Sequence, residues 1–318
     1  MKRDALFDDI LANPEDLELR SVWADALIEQ GDPRGELITL QSRAEAGQLT
    51  PAQDKRMRSL LAKHRGAWLG ELAGIVQSRE GLVFERGLLG ACQIQVKNLA
   101  GLDAAIGSPL WSTVRSVHFC DRFAWDPRIV PLLADPAMRS LREVIYVGAN
   151  QVFARLARNP RPLPLTSIWT GDDEDRGEPV VTIDEIDNLA SLPNLTKLGF
   201  TMHDDGMQLL SLPVIRLVET LGLTTYAAAG EWMRRTRELE NLTTLELRRW
   251  WIPIQGPTRA HYILRFTRGP TGQWSRLDVG AGGRPQLSML VDDIESIRRV
   301  TKLESVTSAD PEVLEAFR

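Results

Sequence analysis

The stretch Leu195-Thr196-Lys197-Leu198-Gly199-Phe200 is followed by Val218-Glu219-Thr220-Leu221-Gly222-Leu223 and then by Leu242-Thr243-Thr244-Leu245-Glu246-Leu247. All three follow the pattern apolar-x-x-apolar-x-apolar. Working outward, the same pattern appears at Val114/Val117/Phe119, Leu141/Val144/Tyr146 and Trp274/Leu277/Val279. Weaker copies stand at Leu165/Ile168/Thr170 and Val300/Leu303/Ser305. The middle positions (117, 144, 168, 198, 221, 245, 277 and 303) recur every 23 to 32 residues. A short strand with two or three apolar side chains on one side is too small to be stable alone. Stacked in parallel, such strands bury a continuous apolar ladder, and the segments between them return along the opposite surface.

Those return segments read as helical where they are legible. Ile183, Ile186, Leu189 and Ala190 fall on one face of the 183–192 stretch, and Trp232 and Met233 lie in the 227–237 stretch. Leu192-Pro193 and Leu212-Pro213 precede strands. Units of this length resemble leucine-rich repeats, which run about 20 to 29 residues. The resemblance implies an α/β fold: a leucine-rich-repeat-like solenoid with parallel strands on its concave face. Many such repeats carry an Asn or Cys a few residues past the strand. Here those places hold Arg122, Asn150, Asp173, His203, Tyr226 and Trp250, so an irregular, flatter solenoid is expected. The alternation in His261 to Arg268 predicts an extra strand, in a hairpin with the strand near Leu277.

Upstream of the repeats the period is helical. Leu6, Phe7, Ile10 and Leu11 form a short first stripe that Asp4 can cap, ended by Asn13-Pro14. Leu19, Val22, Trp23, Ala26 and Leu27 form a second stripe, with Gly31 placed for a left-handed C-terminal cap. Asp32-Pro33 reads as N-cap plus first-turn proline for a third helix carrying Leu37, Ile38 and Leu40. Thr50-Pro51-Ala52-Gln53 is a capping box opening a fourth, with Met57, Leu60 and Leu61 inward. From about Leu82 the pattern predicts a strand or hairpin turning at Gly87 and Gly90. The expected division is a helical domain over 1–80 and a solenoid over 81–318.

Residues 6–16 (Leu6-Phe7-Asp8-Asp9-Ile10-Leu11-Ala12-Asn13-Pro14-Glu15-Asp16) and the stretch Gly31-Asp32-Pro33-Arg34-Gly35-Glu36 closely resemble the bacterial repeat-companion domain. So do His64-Arg65-Gly66-Ala67-Trp68-Leu69 and Glu85-Arg86-Gly87-Leu88-Leu89, which extends the likeness over about the first ninety residues. It implies a domain placed before leucine-rich or other repeats and brings no reaction with it. Ala26 departs from the bulky aromatic more common there.

Composition narrows the function classes. The chain has 318 residues, 43% hydrophobic and 25% charged, within the ordinary globular range. A net charge of −5 lacks the basic excess that phosphate-backbone binding uses, so no nucleic-acid partner is expected. No apolar run reaches membrane-spanning length, and no signal-like apolar segment follows Met1-Lys2-Arg3-Asp4, so no membrane association is expected. Two cysteines, Cys92 and Cys120, imply no disulfide framework and fit a cytoplasmic protein. Asp25, Glu29, Asp32 and Glu36 read as caps and solvated helix positions, and the four histidines show no metal-ligand spacing, so no metal or cofactor is expected.

The expected function is non-catalytic: a protein or peptide partner bound on the concave strand face. Side chains alternate along a strand, which nominates His118, Trp169, Asp172, Thr201, Glu246, Arg248 and Arg249 for that face. Trp250 and Trp251 extend the arginine pair into an aromatic and cationic cluster of the kind that anchors interfaces. Two alternatives stand beside this reading. One is a peptide-recognition subunit of a modifying enzyme. The other is a hydrolase or transferase using His118 and Cys120, which share a strand face but lack an orienting third group. Gly280-Ala281-Gly282-Gly283 opens no helix and reads as a plain turn.

Overall fold

A computed structural model describes residues 5–77, 81–96, 99–119, 129–147, 156, 163–170, 186, 188–201, 207–225, 227–251, 260–281 and 290–317. The chain forms two compact units, one of residues 1–147 with 159–165, the other of 148–158 with 166–318. The architecture is mixed α/β with a helical N-terminal region.

The first unit opens with four helices, α1 (Ala5–Ala12), α2 (Leu17–Glu29), α3 (Pro33–Glu45) and α4 (Pro51–Trp68). Their ends follow the capping chemistry. Asp16 Oδ1 accepts from Leu19 N at 3.0 Å, and Asp32 Oδ1 accepts from Arg34 N at 2.8 Å. Thr50 and Gln53 form the capping box reciprocally. Gly31 takes the left-handed conformation (φ 72°) that leaves only two residues between the end of α2 and the cap of α3. The cap proposed at Asp4 lies outside the described residues.

Strands β1 (Val83–Glu85) and β2 (Leu88–Ile94) then pair antiparallel, turning through Arg86 (φ 48°) and Gly87 (φ 77°). Beyond β2, strands β3 (Ser116–Phe119) and β4 (Glu143–Val147) add in parallel. Helices α5 (Leu99–Ala105) and α6 (Ile129–Leu133) lie between them in sequence.

The helices hold the hairpin from outside. Phe7, Ile10, Leu11, Trp23, Ala24, Leu27 and Ile38 bury Leu88 of β2 in one cluster. Gln41 clamps the turn at both polarities: its Nε2 donates to Phe84 O at 2.5 Å and its Oε1 accepts from Gly87 N at 2.7 Å. Arg20 donates to Glu85 O at 3.2 Å.

The stretch Arg34-Gly35-Glu36 at the start of α3 does structural work. Gly35 lets α3 touch α2, since a Cβ there would sit 2.6 Å from Ala24 O. Arg34 is only 2% exposed, its guanidinium 5.6 Å from the ring centre of Trp23 and 5.3 Å from that of Trp68. Burial lowers its pKa to about 10. Glu36 pairs with Arg56 through bonds of 2.7 and 2.6 Å, which hold its carboxyl below the usual carboxylate range.

Among the described residues the second unit carries seven strands: β5 (Ser167–Thr170), β6 (Lys197–Thr201), β7 (Thr220–Thr224), β8 (Thr244–Trp251), β9 (Ala260–Arg268), β10 (Trp274–Ala281) and β11 (Ser305–Ser308), neighbours in that order. β5 to β8 run parallel, β9 is antiparallel to both β8 and β10, and β11 returns to parallel. The extra strand expected at 261–268 is thus β9, paired on both sides. Helices α7 (Pro213–Leu217), α8 (Ala229–Arg235), α9 (Val291–Val300) and α10 (Pro311–Phe317) lie in this unit, with short 3-10 turns at 188–191, 207–211 and 236–238. Asp293 of α9 accepts from Ala229 N at 2.7 Å, capping α8 across the chain, and from Tyr262 Oη at 2.8 Å.

Register makes the apolar ladder. Ile168, Leu198, Leu221, Leu245, Phe266 and Leu277 occupy successive cross-strand positions, and all are buried. Leu223, Leu247, Leu264 and Val279 form a second buried rung two residues on. The last copy is shifted from its expected place. Val306, not Leu303, stands beside Leu277, because the parallel pairing of β10 with β11 begins at Ser305. Of the Asn/Cys-ladder positions, Arg122, Asn150, Asp173, His203 and Tyr226 lie outside the described residues, and the side chain of Trp250 does too.

A truncation at the middle of the ladder tests this packing. Leu221→Ala is expected to cost about 2–5 kcal/mol in urea unfolding. At Arg34, the Lys variant is expected to be less stable than wild type, because a compact ammonium between two rings gives up the planar stacking that the guanidinium makes. Equal stability of the two would contradict that role.

Candidate functional site

The face of the second unit opposite the ladder is built from three further rows of the same register. The first reads Ser167, Lys197, Thr220, Thr244, Thr267, Arg276 and Ser305. The second reads Trp169, Gly199, Gly222, Glu246, Arg265, Asp278 and Thr307. The third runs Thr201, Thr224, Arg248, Ile263 and Gly280. Beyond Trp169 and Ile263, none carries a large apolar side chain.

The middle row is the organised part. Trp169 lies across the backbones of β6 and β7, and a Cβ added at Gly199 or Gly222 would overlap its ring. Glycine at both places lets the indole lie flat on the sheet, a close approach that any other residue blocks. Over the ring, the guanidinium carbon of Arg248 stands 3.7 Å from the centroid, and the Lys197 ammonium stands 5.1 Å from it. The ring is therefore enclosed by glycine backbone on one side and a cation on the other, and Trp169 is only 2% exposed.

Glu246 fixes the cations beside it. Its side chain is 3% exposed and accepts from Arg248 Nε at 3.2 Å and from Arg265 Nη2 at 3.1 Å. A buried carboxylate needs such partners, because desolvation otherwise penalises its charge. Arg265 also reaches Asp278 at 3.6 Å, and Thr307 Oγ1 donates to Asp278 Oδ1 at 2.8 Å. A continuous chain of charge and hydroxyl thus runs from Arg248 to the last strand.

The nominated residues divide as follows. Trp169, Glu246 and Arg248 come together in this cluster. Thr201 stands beside Thr224 in register, Arg249 opposite Tyr262, Trp250 opposite His261 and Trp251 opposite Ala260, while their side chains lie outside the described residues. Asp172 lies outside them altogether. His118 sits on β3 of the first unit, its Nδ1 3.4 Å from Gln93 Nε2. Cys120, its supposed catalytic companion, is outside the described residues. No group of three His, Cys, Asp or Glu side chains that could hold a metal occurs among the described residues. Comparison with protein-family models, curated proteins and solved structures found no match.

Lys197, Arg265, Arg276 and Asp278 were not nominated from the sequence. The first belongs to a recognised repeat unit and was readable there. Arg276 and Asp278 likewise flank Leu277 of a recognised unit, whereas Arg265 comes from β9, where the antiparallel hairpin resets which residues stand side by side. The signal for the ring was present in Leu198-Gly199-Phe200 and Leu221-Gly222-Leu223, where a glycine inside each of two neighbouring strands marks a close approach.

The arrangement has a direct energetic test. Glu246→Ala is expected to cost about 2 kcal/mol in urea unfolding, the scale of lost charged hydrogen bonds, moderated because Arg265 is half exposed. Glu246→Gln keeps an acceptor and is expected to cost less. A wild-type midpoint for Glu246→Ala would show that the carboxylate does not hold the arginines.

Proposed function

We propose that the chain is a non-catalytic recognition protein whose repeats form an irregular leucine-rich-repeat-like solenoid. A protein or peptide partner binds the strand face of the second unit, and the helical residues 1–80, like a repeat-companion domain, close the first hairpin. The observation that carries this reading is the face of three rows in register, two of them across seven strands and one across five, polar and cationic opposite a buried ladder.

Three considerations support it. An ordered face of arginine, lysine and threonine offers directional contacts to a partner, with arginine among the residues enriched at binding hot spots. Glu246 and Trp169 pre-position Arg248, which lowers the ordering cost of association. The cations sit on strands, a more rigid platform than loops. No helix among the described residues is long and apolar enough to cross a membrane. A cytoplasmic setting is part of the proposal and rests on cysteine usage: there are two in the chain, too few for a disulfide framework.

The test is capture from lysate of the native cell on the full chain, compared with Arg265→Ala/Arg276→Ala and with Arg58→Ala on α4 as a surface control. A protein retained by wild type and the control but lost by the face variant is the expected outcome. Recovery of the same proteins by all three baits would overturn the assignment.

A further inference from the structure

Resting on that reading, we propose that the occupant of this face is an extended acidic segment of the partner protein, about six residues long, whose carboxylates meet Lys197, Arg248, Arg265 and Arg276.

The charge on the face has the required sign. Among the described side chains of the three rows, four cations stand against two carboxylates, on a chain whose net charge is −5. Both carboxylates are already engaged within the face, Glu246 buried and the Asp278 side chain 51% exposed. Glu246 is shut beneath the two arginines that it binds, and Asp278 accepts from Thr307 and faces Arg265. Of the cations, Arg276 is exposed, the Arg265 side chain is 47% exposed, Lys197 is half-buried and the Arg248 side chain, over the indole, is 22% exposed. A partner therefore meets an excess of two positive charges on this face of a negative molecule, which favours acids here.

Geometry sets the length. Lys197 on β6 and Arg276 on β10 are four strand intervals apart, about 19 Å at roughly 4.8 Å per interval. An extended chain rising about 3.3 Å per residue covers that span in about six residues. Thr220, Thr244 and Thr267 lie along the same path, half-buried, with hydroxyls able to donate or accept.

The same observations disfavour a nucleic acid. A single strand binds by stacking bases on open rings, yet the one aromatic residue described in these rows is roofed by Arg248 at 3.7 Å. Four cations in one short patch also fall well below the phosphate-neutralising count of typical nucleic-acid sites.

The experiment is fluorescence anisotropy on the full chain with labelled peptides of equal length: hexaglutamate, hexalysine and a Gly/Ser control, each in Gly/Ser flanks, plus a short oligothymidine. Hexaglutamate is expected to bind at low salt, to weaken steeply toward about 0.15 M ionic strength, and to outcompete the other probes. Lys197→Glu/Arg276→Glu, which leaves both arginine partners of Glu246 in place, is expected to keep the wild-type circular dichroism and lose about tenfold in hexaglutamate affinity, or about 1.4 kcal/mol. The inference is overturned if hexaglutamate binds no better than the Gly/Ser control, if the double variant binds it equally well, or if the oligothymidine binds more tightly. Should hexaglutamate fail while capture of a protein remains sensitive to Arg265→Ala/Arg276→Ala, the binding face stands and only the acidic chemistry falls.

Discussion

Side-by-side alignment of Ile168, Leu198, Leu221, Leu245, Phe266 and Leu277 is the constraint from which the rest of the second unit follows. Side chains on a strand alternate with a period of two, so fixing one buried row fixes every other row. A slip of one residue on any strand would turn its leucines to water and its polar residues inward. Each buried leucine contributes about 1.5–3 kcal/mol, enough in sum to make such a slip prohibitive. The polar face is thus ordered as a consequence of the core, and that order brings Trp169, Glu246 and Arg265 onto one line.

That line solves a packing problem in an unusual place. An indole on the solvent side of a sheet ordinarily stands away from the backbone, leaving its ring wet. Here two glycines remove the side chains beneath it and Arg248 covers it from above. The arginine keeps its charge near water while its flat face replaces water on the ring, a division of labour that a lysine does not offer. In the first unit the same chemistry appears enclosed. Arg34 lies between Trp23 and Trp68, and burial lowers its pKa. One arginine is a structural pin; the other is held at a surface.

Much of this was legible in the sequence, and the limits are physical. Caps at Asp32 and Thr50 were readable because they depend on neighbours two or three residues away. The ladder positions from 117 to 277 were readable because parallel strands repeat one spacing. Leu303 was misplaced because a weak copy, with serine at its third position, leaves the frame of the pattern ambiguous by a few residues. Arg265 escaped notice because pairing across a hairpin depends on loop length, which composition does not specify. The burial of Trp169 was hidden for a related reason. It depends on glycines about thirty and fifty residues away, and only the fold makes them adjacent.

The central claim, that the register lays Trp169 flat on Gly199 and Gly222, is tested most directly by a double-mutant cycle on unfolding free energy. Gly222→Ala is measured alone, Trp169→Ala alone, and the two together. If the added methyl collides with the ring, Gly222→Ala costs about 1–3 kcal/mol in wild type, and most of that cost disappears when Trp169 is alanine. Strict additivity of the two substitutions would mean that the ring does not lie on that glycine, and would contradict the account.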